Sequence, residues 1–384
     1  MTIACRSHVA EPGVSVADVL LRHADACLGQ YGDTLSVEMH KALQSIYQCR
    51  TRAMGGRSFH CAHCQKDHFA WHSCNHRLCP QCGAADTRDW VADQLAKKLP
   101  VEHFMVTFTL PSSLRQLCRN QPKVFLSAFF AASSQAIKDV LKQPKHLGAE
   151  SGFIGVLQTW TQDLRLHPHI HYIVPAVGLD AKGKLKLPKK AGWLARGSIF
   201  ANRMRTLLLQ DLQKQGLLDQ SQAKPLWKIQ WNCDVESFGD GTNAIKYLGA
   251  YLKKGPVTQS RILGDSRGSV ILSVKDRQNG DSKAISIDAA EFVRRYLQHA
   301  LPQGFHAIRY YGLLHPRAKE KLASVCRQLG VRLKAKSQTK PASPDTAPLC
   351  PQCHKPMVLT GQLSRAPPSQ WPHPNLREQE RPAA

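Results

Sequence analysis

Residues 104–110 read FMVTFTL, β-branched and aromatic side chains running up to Pro111, a pattern that predicts a strand. Residues 122–142 are apolar at helical spacing and predict a helix. Two further strands, Phe153–Trp160 and His169–Val177, are separated by a short turn. Phe200, Met204, Leu207 and Leu208 mark a helix over 198–214 that stops at Gly216. Trp227–Cys233 reads as a strand and 242–254 as a helix. Strands at Ser269–Val274 and Ala284–Ile287 and a helix at Ala289–Leu297 follow. Before all of these, Ser15 is a candidate N-cap with Asp18 three residues on, leading into VLLRHADACL, and VEMHKALQSIY forms a second amphipathic run. Helices first, then alternating strands and helices, predict an α+β or α/β sheet domain behind a helical N-terminal segment.

Composition changes this picture in two ways. The 384 residues hold 52 Lys and Arg against 28 Asp and Glu, a net +24, and such self-repulsion calls for a polyanion partner, nucleic acid first and an anionic membrane second. No stretch approaches the ~20 apolar residues of a membrane span. The start, MTIACRSHVAEPG, lacks the apolar region of a signal peptide, so a cytoplasmic, nucleoid-associated protein is expected. The thirteen cysteines are clustered, eight of them before residue 83, which in a reducing compartment points to metal rather than disulfides. Ten of the 23 prolines lie between Pro341 and Pro382, so residues 335–384 read as a flexible tail.

The cysteine block contains Cys61-x2-Cys64 and Cys79-x2-Cys82, paired knuckles at a spacing that closes one tetrahedral Zn²⁺ site. Cys49 and Cys74 remain, with His60, His63, His68, His72 and His76 nearby, as ligands of a second zinc or as buried thiols. Cys350-x2-Cys353 in the tail is half a knuckle, read as a solvated pair or as part of a site needing unseen partners rather than as a complete third site.

The run LRLHPHIHYIV places His167, His169 and His171 on one strand face and Ile170, Tyr172 and Val174 on the other. Pro168 cannot donate to a ladder, so the paired strand is expected to begin at His169. Two imidazoles on one face can hold a divalent ion. If the preceding strand forms a hairpin with this one, Gln158 lies across from His169 as a third ligand, with Asp163 in the turn as the alternative. In TNAIKYLGAYLKK, four-residue spacing stacks Tyr247 and Tyr251 on one helix face, beside the basic Lys246, Lys253 and Lys254. A metal beside a tyrosine suits attack on a phosphodiester. The plainer reading is an aromatic packing stripe.

Taken together, CRTRAMGGRSFHCAHC, HSCNHRLCPQC, QTWTQDLRLHPHIH, YLGAY and LPQGFHAIRYYGLLHP resemble the IS-ninety-one (insertion sequence ninety-one) family of rolling-circle transposases, over about residues 40–330. These are HUH (His-hydrophobic-His) endonucleases with two tyrosines. The resemblance implies three parts: a helical, zinc-ribbon domain (1–92), a ferredoxin-like antiparallel HUH nuclease domain (93–334) with the His pair on a central strand and the tyrosine helix beneath it, and the tail. It implies structural Zn²⁺ and catalytic Mg²⁺ or Mn²⁺. It also implies nicking and joining of single-stranded DNA at element ends and target through a 5′-phosphotyrosine; the sequence shows no nucleotide-binding Walker loop, so a helicase is expected from the host. Gln158 stands where such proteins often carry His, and His76 where Asn is expected. A plasmid or phage replication initiator with the same chemistry, or a zinc-ribbon DNA-binding protein without catalysis, are the alternatives.

The charge divides unevenly over these parts. Residues 1–92 hold nine Lys and Arg against eight Asp and Glu, whereas 93–334 hold thirty-seven against seventeen. Attraction for the DNA backbone is therefore expected from the sheet domain.

Overall fold

The structure is a computed structural model and describes residues 15–249, 252, 255–266, 268–275, 280–333 and 348–367. Helices α1 (Val16–Arg22), α2 (Ala24–Tyr31) and α3 (Val37–Gln48) come first, then the hairpin β1 (Gly56–Cys61) and β2 (Lys66–Trp71), and α4 (Ala84–Ala96). The central part runs β3 (His103–Thr109), α5 (Arg115–Asn120), α6 (Pro122–Lys142), β4 (Glu150–Ser151), β5 (Phe153–Trp160), β6 (Leu166–Pro175), β7 (Gly178–Leu179), β8 (Leu185–Lys186), α7 (Gly197–Lys214), α8 (Gln220–Lys228), β9 (Asn232–Ser237) and α9 (Thr242–Gly249). The chain continues through β10 (Ile262–Ser266), β11 (Ser269–Lys275), β12 (Ser282–Asp288), α10 (Ala289–Leu297), β13 (Ile308–Tyr311), α11 (Lys319–Gln328) and β14 (Val358–Leu363).

The largest sheet is antiparallel, in the order β13-β5-β6-β3-β9. Its core β3-α6-β5-β6-α7-β9 is the β-α-β-β-α-β succession of a ferredoxin-like fold. Period-2 alternation gives the sheet two apolar faces. Phe104, Val106, Phe108, Ile170, Tyr172 and Val174 pack under α6 and α7. Met105, Ile154, Val156 and Ile173 pack under Ala244, Ile245 and Leu248 of α9, with Trp90 and Val91 of α4 beside them. α6 is long and apolar enough to span a membrane by composition alone, but two thirds of that stretch is buried inside the protein, as befits a core helix.

The N-terminal helices share a core with the sheet β10-β11-β12 and with α10: Leu20, Leu43 and Ile46 cluster with Ile262 and Leu272 of the sheet and Phe292 and Tyr296 of α10. Ser15 caps α1 in a capping box with Asp18, as its spacing suggested. A third sheet, β14-β1-β2, surrounds a small cluster of Phe59, Cys61, Cys350 and Met357. Within the expected tail, then, residues 348–367 return to pair with β1. Residues 335–347 and 368–384 lie outside the described residues.

Two expected strands shift. Trp227 lies in the last turn of α8, a helix started by the Asp219–Gln222 capping box and running to Lys228 into the expected strand; β9 begins at Asn232 and turns Cys233 into the core. β6 begins at Leu166, ahead of Pro168. Its pairing with β3 ends at Thr109↔His169, so the missing proline N–H falls beyond that ladder.

Candidate active site and cysteine clusters

Because Ile170, Tyr172 and Val174 face α6 and α7, alternation turns His167, His169, His171 and Ile173 to the face covered by α9. β6 is the middle strand of five, so these imidazoles sit on the most constrained backbone of the sheet. The register sets Gln158 opposite His169, and Thr107 opposite His171 on the other side. His169 Nδ1 donates to the His167 carbonyl at 2.7 Å, which leaves Nε2 as the ring nitrogen carrying the lone pair. His171 Nδ1 shares a hydrogen bond of 2.9 Å with Thr107 Oγ1.

Two buried atoms in this place have no hydrogen-bond partner, His171 Nε2 and Gln158 Oε1. Left so, each costs about 1–3 kcal/mol. Burial first, and repulsion from His169 second, push the His171 imidazole down to about 3, so the ring is neutral. His171 Nε2, on a neutral ring, and the Gln158 amide oxygen, neither with a hydrogen-bond partner, are donors of a kind that fits a divalent cation. Asp163 is taken up elsewhere, 2.5 Å from Arg165 in the turn. His167 Nδ1 accepts from Arg115 at 3.1 Å.

α9 buries Ala244, Ile245 and Leu248, which leaves Lys246 and Tyr247 exposed. The Tyr247 ring, 43% exposed, stands edge-on to His171 with centroids 5.9 Å apart. Gly249 explains how close the helix can come: a Cβ there would strike the Val91 side chain of α4. Tyr251, Lys253 and Lys254 lie outside the described residues. Tyr247, His167, His169, Gln158, Thr109 and Asn232 line one side of a cleft of about 860 Å³. Arg261, Ser273, Lys275 and Ser282, from β10–β12 and the turn before them, line the other. No local pattern marked these wall residues. Thr107 and Thr109 had one, as the two polar positions that alternate through an apolar strand.

Among the described residues, eight cysteines form two groups of four, each with its sulfurs within 4.8 Å of one another: Cys49, Cys74, Cys79 and Cys82, and Cys61, Cys64, Cys350 and Cys353. The two N-terminal knuckles therefore do not share a site. Cys61 and Cys64 lie at the tip of the β1–β2 hairpin, where Cys61 pairs with Lys66. The chain then returns along β2 until Trp71 pairs with Gly56, so Cys74 emerges at the hairpin's base, about 17 Å from the tip at ~3.4 Å per residue. There it meets Cys49, at the end of α3. His76 is not in the group; its Nδ1 accepts from the Leu78 N–H at 3.2 Å.

A family model described as a transposase zinc-binding domain matches residues 19–110, and one described as a putative transposase matches 152–321. A putative transposase of Sinorhizobium fredii, y4qJ, is 30% identical over 94% of this chain and 99% of its own length. The chain belongs to the IS91 (insertion sequence ninety-one) family of transposases. A second relative of this IS91-family chain is the transposase for insertion sequence element IS801 of Pseudomonas savastanoi pv. phaseolicola, 26% identical over 72% of this chain and 70% of that protein. No solved structure matches significantly. The zinc-binding domain of the family covers both N-terminal knuckles and Cys49 and Cys74.

Proposed function

We propose that this chain nicks and rejoins single-stranded DNA at element ends and target by the rolling-circle route, with Tyr247 as a nucleophile and His169, His171 and Gln158 as ligands of a catalytic Mg²⁺ or Mn²⁺. The observation that carries the reading is the convergence of Tyr247 with two unpartnered buried atoms, His171 Nε2 and Gln158 Oε1, on one sheet face. With Nδ1–H of His171 donating to Thr107, its Nε2 carries the lone pair, and the His169 ring lies 4.8 Å away between centroids. A bound cation there supplies charge neutralisation to a phosphate oxygen.

The residues of the chain do the rest. Tyr247 Oη attacks the phosphorus, a P–O bond breaks, and the 3′ oxygen departs with a proton while the 5′ phosphate stays on the tyrosine. The phenol is a weak nucleophile at its ordinary pKa of ~10, so its position, held by α9 against the sheet, matters. Lys246 and Lys275 draw the backbone into the cleft, and the excess charge of 93–334 adds long-range attraction. Tyr251, four residues on in the sequence, serves as the second nucleophile, with Lys253 and Lys254 as further phosphate contacts. The host provides the unwinding helicase, and the setting is the nucleoid. Cys49, Cys74, Cys79 and Cys82 hold a structural Zn²⁺.

The test is a covalent adduct. The wild type, mixed with single-stranded element-end DNA and Mn²⁺, should form a protein–DNA link that survives denaturation. Mn²⁺ should serve at least as well as Mg²⁺, because imidazole ligands suit it better. Tyr247→Phe and His169→Ala should reduce the link. Adduct formation that is indifferent to chelators would sink the metal assignment, and DNA binding without any adduct would favour a non-catalytic role.

A further inference from the structure

We propose that Cys61, Cys64, Cys350 and Cys353 form a second structural zinc site, which clasps the far end of the chain onto the N-terminal knuckle. The zinc-binding family model stops at residue 110, so half of this donor set lies outside it.

Four features support the assignment. Cys61 Sγ lies 3.4 Å from Cys353 Sγ, Cys64 Sγ lies 3.6 Å from Cys350 Sγ, and Cys64 and Cys353 are 3.9 Å apart. Sulfurs at the corners of a tetrahedron with bonds of ~2.3 Å to zinc stand about 3.8 Å apart. The two knuckles also match in backbone. Each Cys-x2-Cys is followed by a non-glycine residue in the left-handed region, Gln65 at φ 53° and His354 at φ 57°. The donors are drawn into the interior of the small sheet, where Cys61 and Cys350 are fully buried. Finally, His68 Nε2 lies 3.4 Å from Cys350 Sγ, as a ring N–H donating to a thiolate would.

This ion replaces the core that the sheet lacks. Phe59 and Met357 are the only other residues of its buried cluster, among the described residues. β14 pairs with β1 along its length, so the clasp and the ladder hold the same strand.

Elemental analysis of the full chain purified with zinc tests this directly. The expectation is two zinc ions per chain, falling to one in Cys350→Ser/Cys353→Ser and to one in Cys49→Ser/Cys74→Ser. Should either variant fail to fold, the wild type answers alone: Cys350 and Cys353 should resist alkylation until a chelator is added. His68→Ala should keep two ions but release one of them to a chelator about tenfold faster. One ion in the wild type, two in Cys350→Ser/Cys353→Ser, prompt alkylation of Cys350, or a disulfide among these four cysteines would each overturn the proposal.

Discussion

The five-stranded sheet covers both of its faces, with α6 and α7 on one side and α4 and α9 on the other, whereas the sheet of β14, β1 and β2 is thinly covered on either side. In the first, side chains such as Phe104, Phe108, Ile170 and Tyr172 are wholly or almost wholly buried. In the second, Phe69, Val358 and Leu359 remain at least 50% exposed. The two arrangements place the proposed metal ligands by different means. The large sheet has an apolar core that stands without any ion, so His169, His171 and Gln158 are held by register. The small sheet has four sulfurs where a core would be, and its geometry depends on what binds them. A site of the first kind is preorganised for chemistry; one of the second kind is a substitute for packing.

The largest effect should come from Tyr247→Phe, with a loss of covalent adduct of at least about 10³-fold. Because the ring is exposed, its unfolding free energy should move by less than about 0.5 kcal/mol. Chelation should come next. Hydrogen exchange should show β1, β2 and β14 losing protection while β3, β5 and β6 keep theirs, and simultaneous loss in both sheets would contradict the division.

A smaller change tests how α9 is seated. Gly249→Ala should cost about 1–3 kcal/mol in chemical denaturation and slow nicking, because the new methyl group strikes Val91. Val91→Ala in the same chain should restore part of both.

His299 provides a test of the interior between the large sheet and the N-terminal core. It is fully buried, with Nδ1 3.1 Å from Thr159 Oγ1 and Nε2 3.2 Å from the Leu164 carbonyl, and burial pushes it down to about 3. A lowered histidine pKa means that the unfolded chain binds the extra proton first. Stability should thus be complete above about pH 6.5 and fall, as pH drops toward about 3, by up to ~1.4 kcal/mol per pH unit for this group. His299→Gln should flatten that slope in denaturation curves taken at several pH values. Smallest of all, Thr107→Val should cost about 1 kcal/mol by removing the partner of His171 Nδ1. The same change should weaken Mn²⁺ binding, measured by calorimetry.

Periodicity alone identified β5, α6 and α10 almost to the residue, and it put His169 and His171 on the face opposite Ile170 and Tyr172. Local spacing suffices there because strand and helix periods are properties of a few consecutive residues. Spacing related Tyr247 only to Tyr251, and its place near the histidines was an implication of the resemblance; that Tyr247 and His171 meet was decided by α9 packing on Ile173 and Met105. The cleft's other wall, Arg261 and Lys275, comes from a sheet whose core is shared with the N-terminal helices. No pattern within a window of sequence reports such a contact. The cysteines make the limit plainest. Cys-x2-Cys announced zinc at the two N-terminal knuckles and left Cys350-x2-Cys353 as half a knuckle, but which knuckles come together was decided by the β1–β2 hairpin, which holds its tip away from its base, and by the pairing of β14 with β1, which brings Cys350, 286 residues beyond Cys64, to that tip. A thiolate pair records the kind of ion it seeks. Its partner is chosen by whatever the rest of the fold brings within about 4 Å.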